Sequence, residues 1–133
     1  MEPMIADGVE MMVGGTLDAS FGPVVVCGSG GTLVELMRDT ALRLAPLSNW
    51  TASEMLDEIR GMARLRGFRG QPRLDEASLR TIVLRVGALL DACPSIAELD
   101  LNPVIVRRNG AIAVDARVRV GVAVPQAAAP ALS

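Results

Sequence analysis

The chain has 133 residues, 50% apolar and 21% charged, with a formal net charge of −2 at pH 7. This size and composition predict one globular domain with a buried core, and they argue against two domains or a disordered chain. All thirteen positive charges are Arg. Because His, Lys and Tyr are absent, the chain alone cannot perform His-based or Lys-based catalysis or form an imidazole metal site.

The composition also narrows the range of partners and locations. A slightly negative charge and an aromatic content of 2% argue against nucleic acid as a partner. The sequence contains neither a stretch of 18 apolar residues nor a basic region leading into an apolar segment, so we expect no membrane span and a cytoplasmic location. Cys27 and Cys93 lie far apart without a zinc-binding spacing, and we interpret both as reduced core thiols.

The amino-terminal third predicts two strands and one ambiguous segment. Residues 9–13 alternate in polarity, and residues 24–26 form a β-branched run that enters a glycine-rich loop at 28–31. That loop lacks the spacing of known phosphate-binding loops, so we interpret it as a tight turn. Residues 33–45 fit helical spacing but also two short strands, and periodicity alone does not decide between them.

Two helices are predicted in the middle of the chain. Thr51, with Glu54 three residues later, predicts a helix that begins with a capping box. A second helix is predicted to begin near Asp75 and Glu76 and to end before Pro94. Its apolar stripe contains Leu79, Ile82, Val83, Val86, Leu89 and Leu90.

The last third predicts a β-hairpin, because Asn109-Gly110 between two alternating runs is a strong signal for a two-residue turn. The elements together predict an α+β domain over residues 1–121, with a flexible tail over 122–133. With this turn, Asn102 lies opposite Arg117. One face of the hairpin is then expected to pack on the helices through Leu99, Leu101, Ile105, Ile112, Val114, Val118 and Val120.

The other face of the hairpin collects polar side chains, namely Asp100, Asn102, Asp115, Arg117 and Arg119. In the predicted register Asn102 and Asp115 are diagonal neighbours whose side chains can converge. An amide oxygen and a carboxylate suit Mg²⁺, and the Arg117 guanidinium beside them suits a phosphate. The same pattern is also typical of a solvated sheet face with cross-strand ion pairs, and the residues alone leave both interpretations open.

Several motifs in order resemble a known family: "GVEMMVGGTLD", "FGPVVVCGSGGTLVEL", "ELDLNPVIV" and "AVDARV". Over residues 2–121 the chain resembles the carboxy-terminal half of the ATP-grasp domain in NDP-forming acyl-CoA synthetases, a module that also occurs in acyltransferase fusions. The resemblance implies an ATP-grasp carboxy-terminal lobe, with a largely antiparallel sheet and two or more helices packed on one face. It also implies ATP or GTP with Mg²⁺ as ligands.

The resemblance assigns roles to individual residues. Asn102 and Asp115 match the family's Mg²⁺ ligands, and Asp100 matches an acidic position near the phosphotransfer centre. Glu10 matches an acidic residue that lines the nucleotide cleft. Glu2 and Met4 match the linker that meets the adenine edge. Arg117 would offset negative charge during phosphoryl transfer, which places it with Asp100 in the catalytic group.

The resemblance also implies parts that this sequence does not contain. In the family, an amino-terminal lobe supplies a phosphate-binding Lys and a glycine-rich flap, and further domains bind CoA and carry a phosphorylated His. We therefore expect a nucleotide-binding half of an acyl-CoA synthetase that is inactive as an isolated chain. The alternatives are a regulatory or structural module, and a short chain that forms a homodimer.

Overall fold

The computed structural model describes residues 8–121, so the proposed tail at 122–133 lies outside the described residues. This part of the chain forms six strands, three α-helices and two 3₁₀ turns. The strands are β1 (Val9–Asp18), β2 (Gly22–Ser29), β3 (Thr40–Leu44), β4 (Ile96–Val106), β5 (Ala111–Ala113) and β6 (Ala116–Val120). The helices are α1 (Leu33–Arg38), α2 (Asn49–Asp57) and α3 (Glu76–Ala92), and the 3₁₀ turns are Arg60–Arg64 and Phe68–Gly70.

The strands form one sheet in the order β3-β2-β1-β4-β5, and β6 also pairs with β4. All of these pairs are antiparallel. Helices α2 and α3 cover one face of the sheet, which we call the core face, and we call the opposite face the open face. The predicted α+β lobe, with a largely antiparallel sheet and helices packed on one face, is confirmed. None of the described helices is long and apolar enough to cross a membrane.

The core lies between α3 and the sheet. Of the predicted helical stripe, Leu79, Val83, Val86 and Leu90 are buried, while Leu89 is exposed. They pack against Met11, Val13, Val25 and Cys27 from β1 and β2. A Cβ atom on Gly15 would overlap the Leu90 side chain, so this glycine allows α3 to approach the sheet closely.

The two cysteines are free thiols, as predicted. Cys27 is fully buried in the core, and this burial raises the pKa of its thiol to about 12. Cys93 caps the carboxyl end of α3 and is half-buried. The interpretation of Cys27 as a core thiol is therefore confirmed, whereas Cys93 lies at the edge of the core.

The start of α2 differs from the sequence prediction. Helix α2 begins at Asn49 with Ser48 as its N-cap, and the Ser48 hydroxyl accepts a hydrogen bond from the backbone N–H of Thr51. The prediction that Thr51 is the N-cap was wrong. A capping box does occur at Thr32, where the hydroxyl accepts from the Glu35 N–H and the Glu35 carboxylate accepts from the Thr32 N–H.

The ambiguous segment at 33–45 contains one element of each kind. Helix α1 occupies Leu33–Arg38, and β3 follows after Asp39. The Asp39 carboxylate accepts hydrogen bonds from the backbone N–H groups of Arg60 and Gly61, each at 2.7 Å. These bonds fix the change from helix to strand against the first 3₁₀ turn.

The hairpin register is two residues away from the predicted one. Ala111 lies opposite Val106 rather than Arg108, and Arg117 lies opposite Asp100 rather than Asn102. The reason is that the turn is made at 108–109 and closed by a hydrogen bond from Arg107 N–H to Gly110 C=O. Gly110 has a positive φ and follows the turn instead of forming part of it.

A bulge in β4 changes which side chains face the helices. Met11 pairs with Val104 and Val13 with Leu101, so two residues of β4 lie opposite Met12 alone. Beyond the bulge Val104 and Val106 join the core cluster, while Ile105 is buried outside that cluster. The predicted burial is correct for Leu99, Leu101 and Ile105 but wrong for Ile112, Val114, Val118 and Val120, which are exposed.

Candidate functional site

The open face carries a row of residues that changes from apolar to charged across the sheet. The strand pairings place Leu42, Val26, Gly14, Asp100 and Arg117 side by side from β3 to β6. The residues on β3 and β2 are apolar, and those on β4 and β6 are charged. A Cβ atom on Gly14 would lie 2.6 Å from the Leu99 carbonyl oxygen, so the middle of the row has no room for a side chain.

A second row two residues along the strands repeats this order. It consists of Leu44, Val24, Thr16, Glu98 and Arg119. In this row the two charged residues bind each other, with Arg119 Nε donating to Glu98 Oε1 at 3.2 Å. The open face is therefore divided into an apolar half and a charged half.

Helix α1 turns this face into a cleft of about 520 Å³. The helix lies over β2, where a Cβ atom on Gly28 would lie 2.9 Å from Leu36 Cδ2. Leu33 and Leu36 form one wall, and the charged half of the sheet forms the other. The full lining is Met12, Gly15, Thr16, Val26, Gly31, Leu33, Leu36, Glu98, Leu99, Asp100, Asn102, Arg117 and Arg119.

Asp100 is the most unusual residue of this cleft. Its Oδ1 atom is buried and accepts no hydrogen bond from the residues that the structure describes. Arg117 lies directly opposite on β6, yet within residues 8–121 the two side chains form no ion pair. A buried carboxylate oxygen without a donor costs free energy, so Asp100 Oδ1 is able to accept a hydrogen bond from a further group.

Asn102 and Asp115 lie closer together than the sequence predicted. The Asn102 N–H donates to the Asp115 carbonyl oxygen at 3.2 Å, so the two residues lie opposite each other rather than diagonally, with Asp115 in the break between β5 and β6. Asn102 lines the cleft, while Asp115 is exposed beside it and its Oδ1 accepts from the Ala116 N–H.

Within residues 8–121, no group of three or more Cys, Asp and Glu side chains is arranged to hold a metal ion. A cation at Asn102 and Asp115 would therefore have one amide and one carboxylate from this chain. Mg²⁺ is commonly held in this manner, by one or two protein oxygens together with water and substrate phosphates.

Glu10 lies at the end of the cleft that is nearest to α1. Its backbone C=O accepts from the Gly30 N–H at 3.0 Å, and its carboxylate lies against Gly31, one of the lining residues. Glu10 itself is half-buried on β1. The predicted linker residues Glu2 and Met4 lie outside the described residues.

Backbone N–H groups at the end of the glycine-rich loop donate to a carboxylate of the same chain. Glu35 accepts hydrogen bonds from the N–H groups of Thr32 and Gly31, and these bonds lower the pKa of its carboxyl group. This agrees with a tight turn rather than a phosphate-binding loop. The sequence contained the signal for this arrangement in the spacing of Thr32 and Glu35, but the prediction assigned the capping box to Thr51.

The sequence prediction did not identify the apolar half of the cleft. Four apolar residues line the cleft only because α1 folds over β2, namely Met12, Val26, Leu33 and Leu36. Their spacing in the sequence does not indicate this arrangement. The ion pair between Glu98 and Arg119 was also missed. It gives Arg119 a carboxylate partner, whereas Arg117 has no ion-pair partner among the residues that the structure describes.

Comparison with known proteins identifies the family. The family model described as an ATP-grasp domain matches residues 1–120. The chain is 40% identical over 114 residues to the beta subunit of an ADP-forming acetate–CoA ligase I from Pyrococcus furiosus, which covers 86% of this chain and 49% of the subunit. It is 37% identical over 121 residues to an ADP-forming acetate–CoA ligase I from Archaeoglobus fulgidus, with 91% of this chain and 18% of that protein covered.

Solved structures agree in fold. A dinucleotide-forming acetyl-coenzyme A synthetase 1 from Ca. Korarchaeum cryptofilum, in complex with coenzyme A and Mg-AMPPCP, superposes with a TM-score of 0.81 at 41% identity. The match covers 86% of this chain and 54% of that one, and in that structure a phosphohistidine segment points towards the nucleotide-binding site. A Pyrococcus horikoshii protein superposes with a TM-score of 0.77 at 33% identity. The chain thus spans about half of the Pyrococcus furiosus subunit and of the Korarchaeum chain it matches, and less than a fifth of the Archaeoglobus ligase.

Proposed function

Because this chain belongs to the ATP-grasp domain family, we propose that it is the nucleotide-binding and Mg²⁺-binding half of an NDP-forming acyl-CoA ligase. The complete enzyme would form an acyl-CoA, NDP and phosphate from an acid, CoA and a nucleoside triphosphate by way of an acyl phosphate. The observation that carries the proposal is the placement of Asn102 directly opposite Asp115, next to the unpartnered oxygen of Asp100.

The residues fit a magnesium nucleotide. Asn102 and Asp115 offer the hard oxygen donors that Mg²⁺ prefers, and they leave positions for water and phosphate oxygens. Asp100 provides a buried oxygen that lacks a donor among the described residues. Arg117 adds a guanidinium without a carboxylate partner in the described range, which suits a phosphate oxygen.

Each side chain then has a separate task. Asn102 and Asp115 hold the cation, and Arg117 donates hydrogen bonds to the phosphate that is being transferred. Asp100 accepts a hydrogen bond from the phosphoryl acceptor at Oδ1 and so orients it. When bound, Mg²⁺ offsets the negative charge of the phosphates during transfer. Glu10 lies against Gly31, one of the residues that line the cleft, and Glu2 and Met4 remain assigned to the adenine edge by resemblance alone.

The isolated chain should bind nucleotide and catalyse nothing. The cleft has one sheet as its floor and is open above, whereas phosphoryl transfer requires a site that excludes water and fixes the phosphates from several sides. We propose that an ATP-grasp amino-terminal lobe and CoA-binding domains or a CoA-binding subunit complete the enzyme. The relatives, of which this chain spans about half or less, support this.

The test is calorimetric titration of the purified chain with ATP and with GTP, each with and without Mg²⁺. We expect weak binding that requires Mg²⁺ and is lost in both Asn102→Ala and Asp115→Ala. The matched control is Asp91→Ala, which removes an exposed carboxylate on α3, an element of the core face. This variant should bind as the unchanged chain does.

Two results would contradict the proposal. One is binding that survives both substitutions at the proposed metal site. The other is the absence of heat at millimolar nucleotide while circular dichroism shows the fold intact. The second result would favour a structural or regulatory module over a working half-site.

A further inference from the structure

Two buried side-chain atoms have no hydrogen-bond partner within residues 8–121, and both lie along β4. They are Asp100 Oδ1 and Arg107 Nε. Asp100 belongs to the strand, and Arg107 directly follows its last residue, Val106. An ionised carboxylate only accepts hydrogen bonds and a guanidinium only donates them, so the two atoms offer opposite chemistry to a ligand.

Both side chains lie on the open face. Val104 and Val106 join the core cluster, and the alternation of a strand then places Ile105 and Arg107 on the opposite face. A Cβ atom on Gly8 would lie 2.5 Å from Ile105 Cγ2 and 3.4 Å from Arg107 Cγ, so these two side chains share one side of the sheet. Asp100 lines the cleft on that same side.

The backbone of Arg107 is fixed, whereas its side chain is not. Its N–H donates to the Gly110 carbonyl oxygen at 2.9 Å, and its own carbonyl oxygen accepts from the Asp75 N–H at 2.7 Å. In the part of the chain that the structure describes, the guanidinium forms no ion pair. The turn therefore holds Arg107 in place while leaving its Nε–H without an acceptor.

The distance from the proposed metal site to Arg107 suits a nucleotide that lies along β4. Asn102 lies opposite Met12, and Arg107 lies beside Gly8, which is four residues further along β1. At about 3.4 Å for each residue, the two positions are about 14 Å apart. The phosphates and sugar of an extended nucleotide can bridge this distance and bring the purine base to Arg107.

The opposite end of the open face offers less to a base. There Arg119 Nε donates to Glu98, and Thr16 Oγ1 donates to the Ala97 carbonyl oxygen at 3.4 Å. These donors already have partners, whereas Arg107 Nε has none among the described residues. The direction towards Arg107 is therefore the one in which a base gains a buried hydrogen bond.

We propose that Arg107 binds the purine base of the nucleotide and favours guanine over adenine. The inference rests on the proposed Mg²⁺ site at Asn102 and Asp115, and it assigns a base preference to that site. A guanidinium presents adjacent N–H donors, and guanine presents two adjacent acceptors, O6 and N7. Adenine has an amino group in place of O6, so it offers this arginine one acceptor instead of two.

Calorimetric titration with GTP, ITP and ATP, each with Mg²⁺, tests the preference. ITP keeps O6 and N7 but lacks the 2-amino group of GTP. We expect the unchanged chain to bind GTP and ITP about tenfold more tightly than ATP, and Arg107→Met to bind all three about equally. The matched control is Arg108→Met, which removes the exposed neighbouring guanidinium and should keep the preference.

Thermal melts without nucleotide separate ligand binding from a role in folding. Removal of a buried donor that lacks an acceptor relieves a cost, so Arg107→Met should melt at the same temperature as the unchanged chain or higher. A lower melting temperature together with an unchanged base preference would show that the guanidinium serves the fold, and would overturn the proposal.

The binding results also separate this inference from the proposed function. Equal affinities of the unchanged chain for GTP, ITP and ATP, all lost in Asn102→Ala, would overturn the role of Arg107 alone. GTP binding that is tighter than that of both ITP and ATP would indicate recognition of the 2-amino group and would also overturn it. The absence of any Mg²⁺-dependent binding would overturn both proposals.

Discussion

The two faces of the sheet differ in how completely their side chains are buried. On the core face α3 places Leu79, Val83 and Leu90 against the strands, and the space is filled by apolar side chains. On the open face α1 leaves a cleft whose floor holds charged groups and the unpartnered oxygen of Asp100. The core face therefore supplies most of the buried apolar contacts, and the open face keeps the polar groups of the proposed nucleotide site.

The largest expected effect is the difference in stability between a Leu→Ala substitution on the core face and one on the open face. Leu79→Ala, at a fully buried position of α3, should lower the free energy of unfolding by roughly 2–5 kcal/mol, because it removes apolar contacts and leaves a cavity. Leu33→Ala on α1 should change it by less than about 0.5 kcal/mol, because that side chain is exposed. Urea denaturation of both variants measures the difference. Equal losses would mean that the open face is packed in solution.

The next effect concerns two arginines of the charged wall. Arg117→Ala should weaken Mg²⁺-nucleotide binding about tenfold, as expected for the loss of one charged hydrogen bond. Arg119→Ala should leave affinity nearly unchanged, because Glu98 already holds that guanidinium. Calorimetric titration of the two variants compares them directly. The assignment of Arg117 to the phosphate would be wrong if Arg119→Ala caused the larger loss.

The third effect concerns the Asp75 carboxylate, which links the hairpin to α3. Hydrogen bonds from the Ser78 hydroxyl, the Ser78 N–H and the Gly110 N–H hold the pKa of the Asp75 carboxyl below its ordinary value. Since the folded pKa is depressed, this stabilisation is present above about pH 4 and is lost as pH falls further. Asp75→Ala should cost about 1 kcal/mol at pH 7, as for other helix N-caps.

The pH dependence provides the check on that cap. Thermal melts of the unchanged chain and Asp75→Ala should differ at pH 7 and converge as the pH is lowered through the range in which Asp75 is protonated. Asp91→Ala, which removes an exposed carboxylate near the other end of the same helix, should show no such convergence. A gap that stays constant down to pH 2 would show that Asp75 acts by packing and not by its charge.

The smallest effect is expected for the surface ion pair. Glu98→Gln should change stability by less than about 1 kcal/mol, and the change should shrink in salt, because both partners are more than half exposed. Denaturation at low and high salt measures it. A loss as large as that of Leu79→Ala would contradict the division between the faces.

The sequence predicted the helices and strands more accurately than the register in which the strands pair. The apolar stripe of α3, the alternation of β1 and the β-branched run of β2 are local patterns, so they identified the fold class and most of the core. The hairpin register was missed because Gly110 accepts a positive φ either within a turn or just after it, and the sequence is compatible with both. The bulge at Met12 was also invisible, since it depends on pairing with a distant strand.

The candidate site residues came from the sequence, whereas the shape of the cleft did not. Asp100, Asn102, Asp115 and Arg117 were proposed from alternation and resemblance, and the structure places them on β4, on β6 and in the break between β5 and β6. The wall formed by α1 was not predicted, because six residues with an ambiguous period do not reveal which face of the sheet they will cover. The roles of the four polar residues are still a proposal that binding experiments must test.

The most direct test is to record amide chemical shifts of the isotope-labelled chain while Mg²⁺ and ATP are added. We expect the shifts to move along β4 and β6, centred on Asn102 and Asp115, and those of α3 to stay in place. Perturbations confined to the core face, or identical perturbations with and without Mg²⁺, would contradict the claim that the open face is a magnesium-nucleotide site.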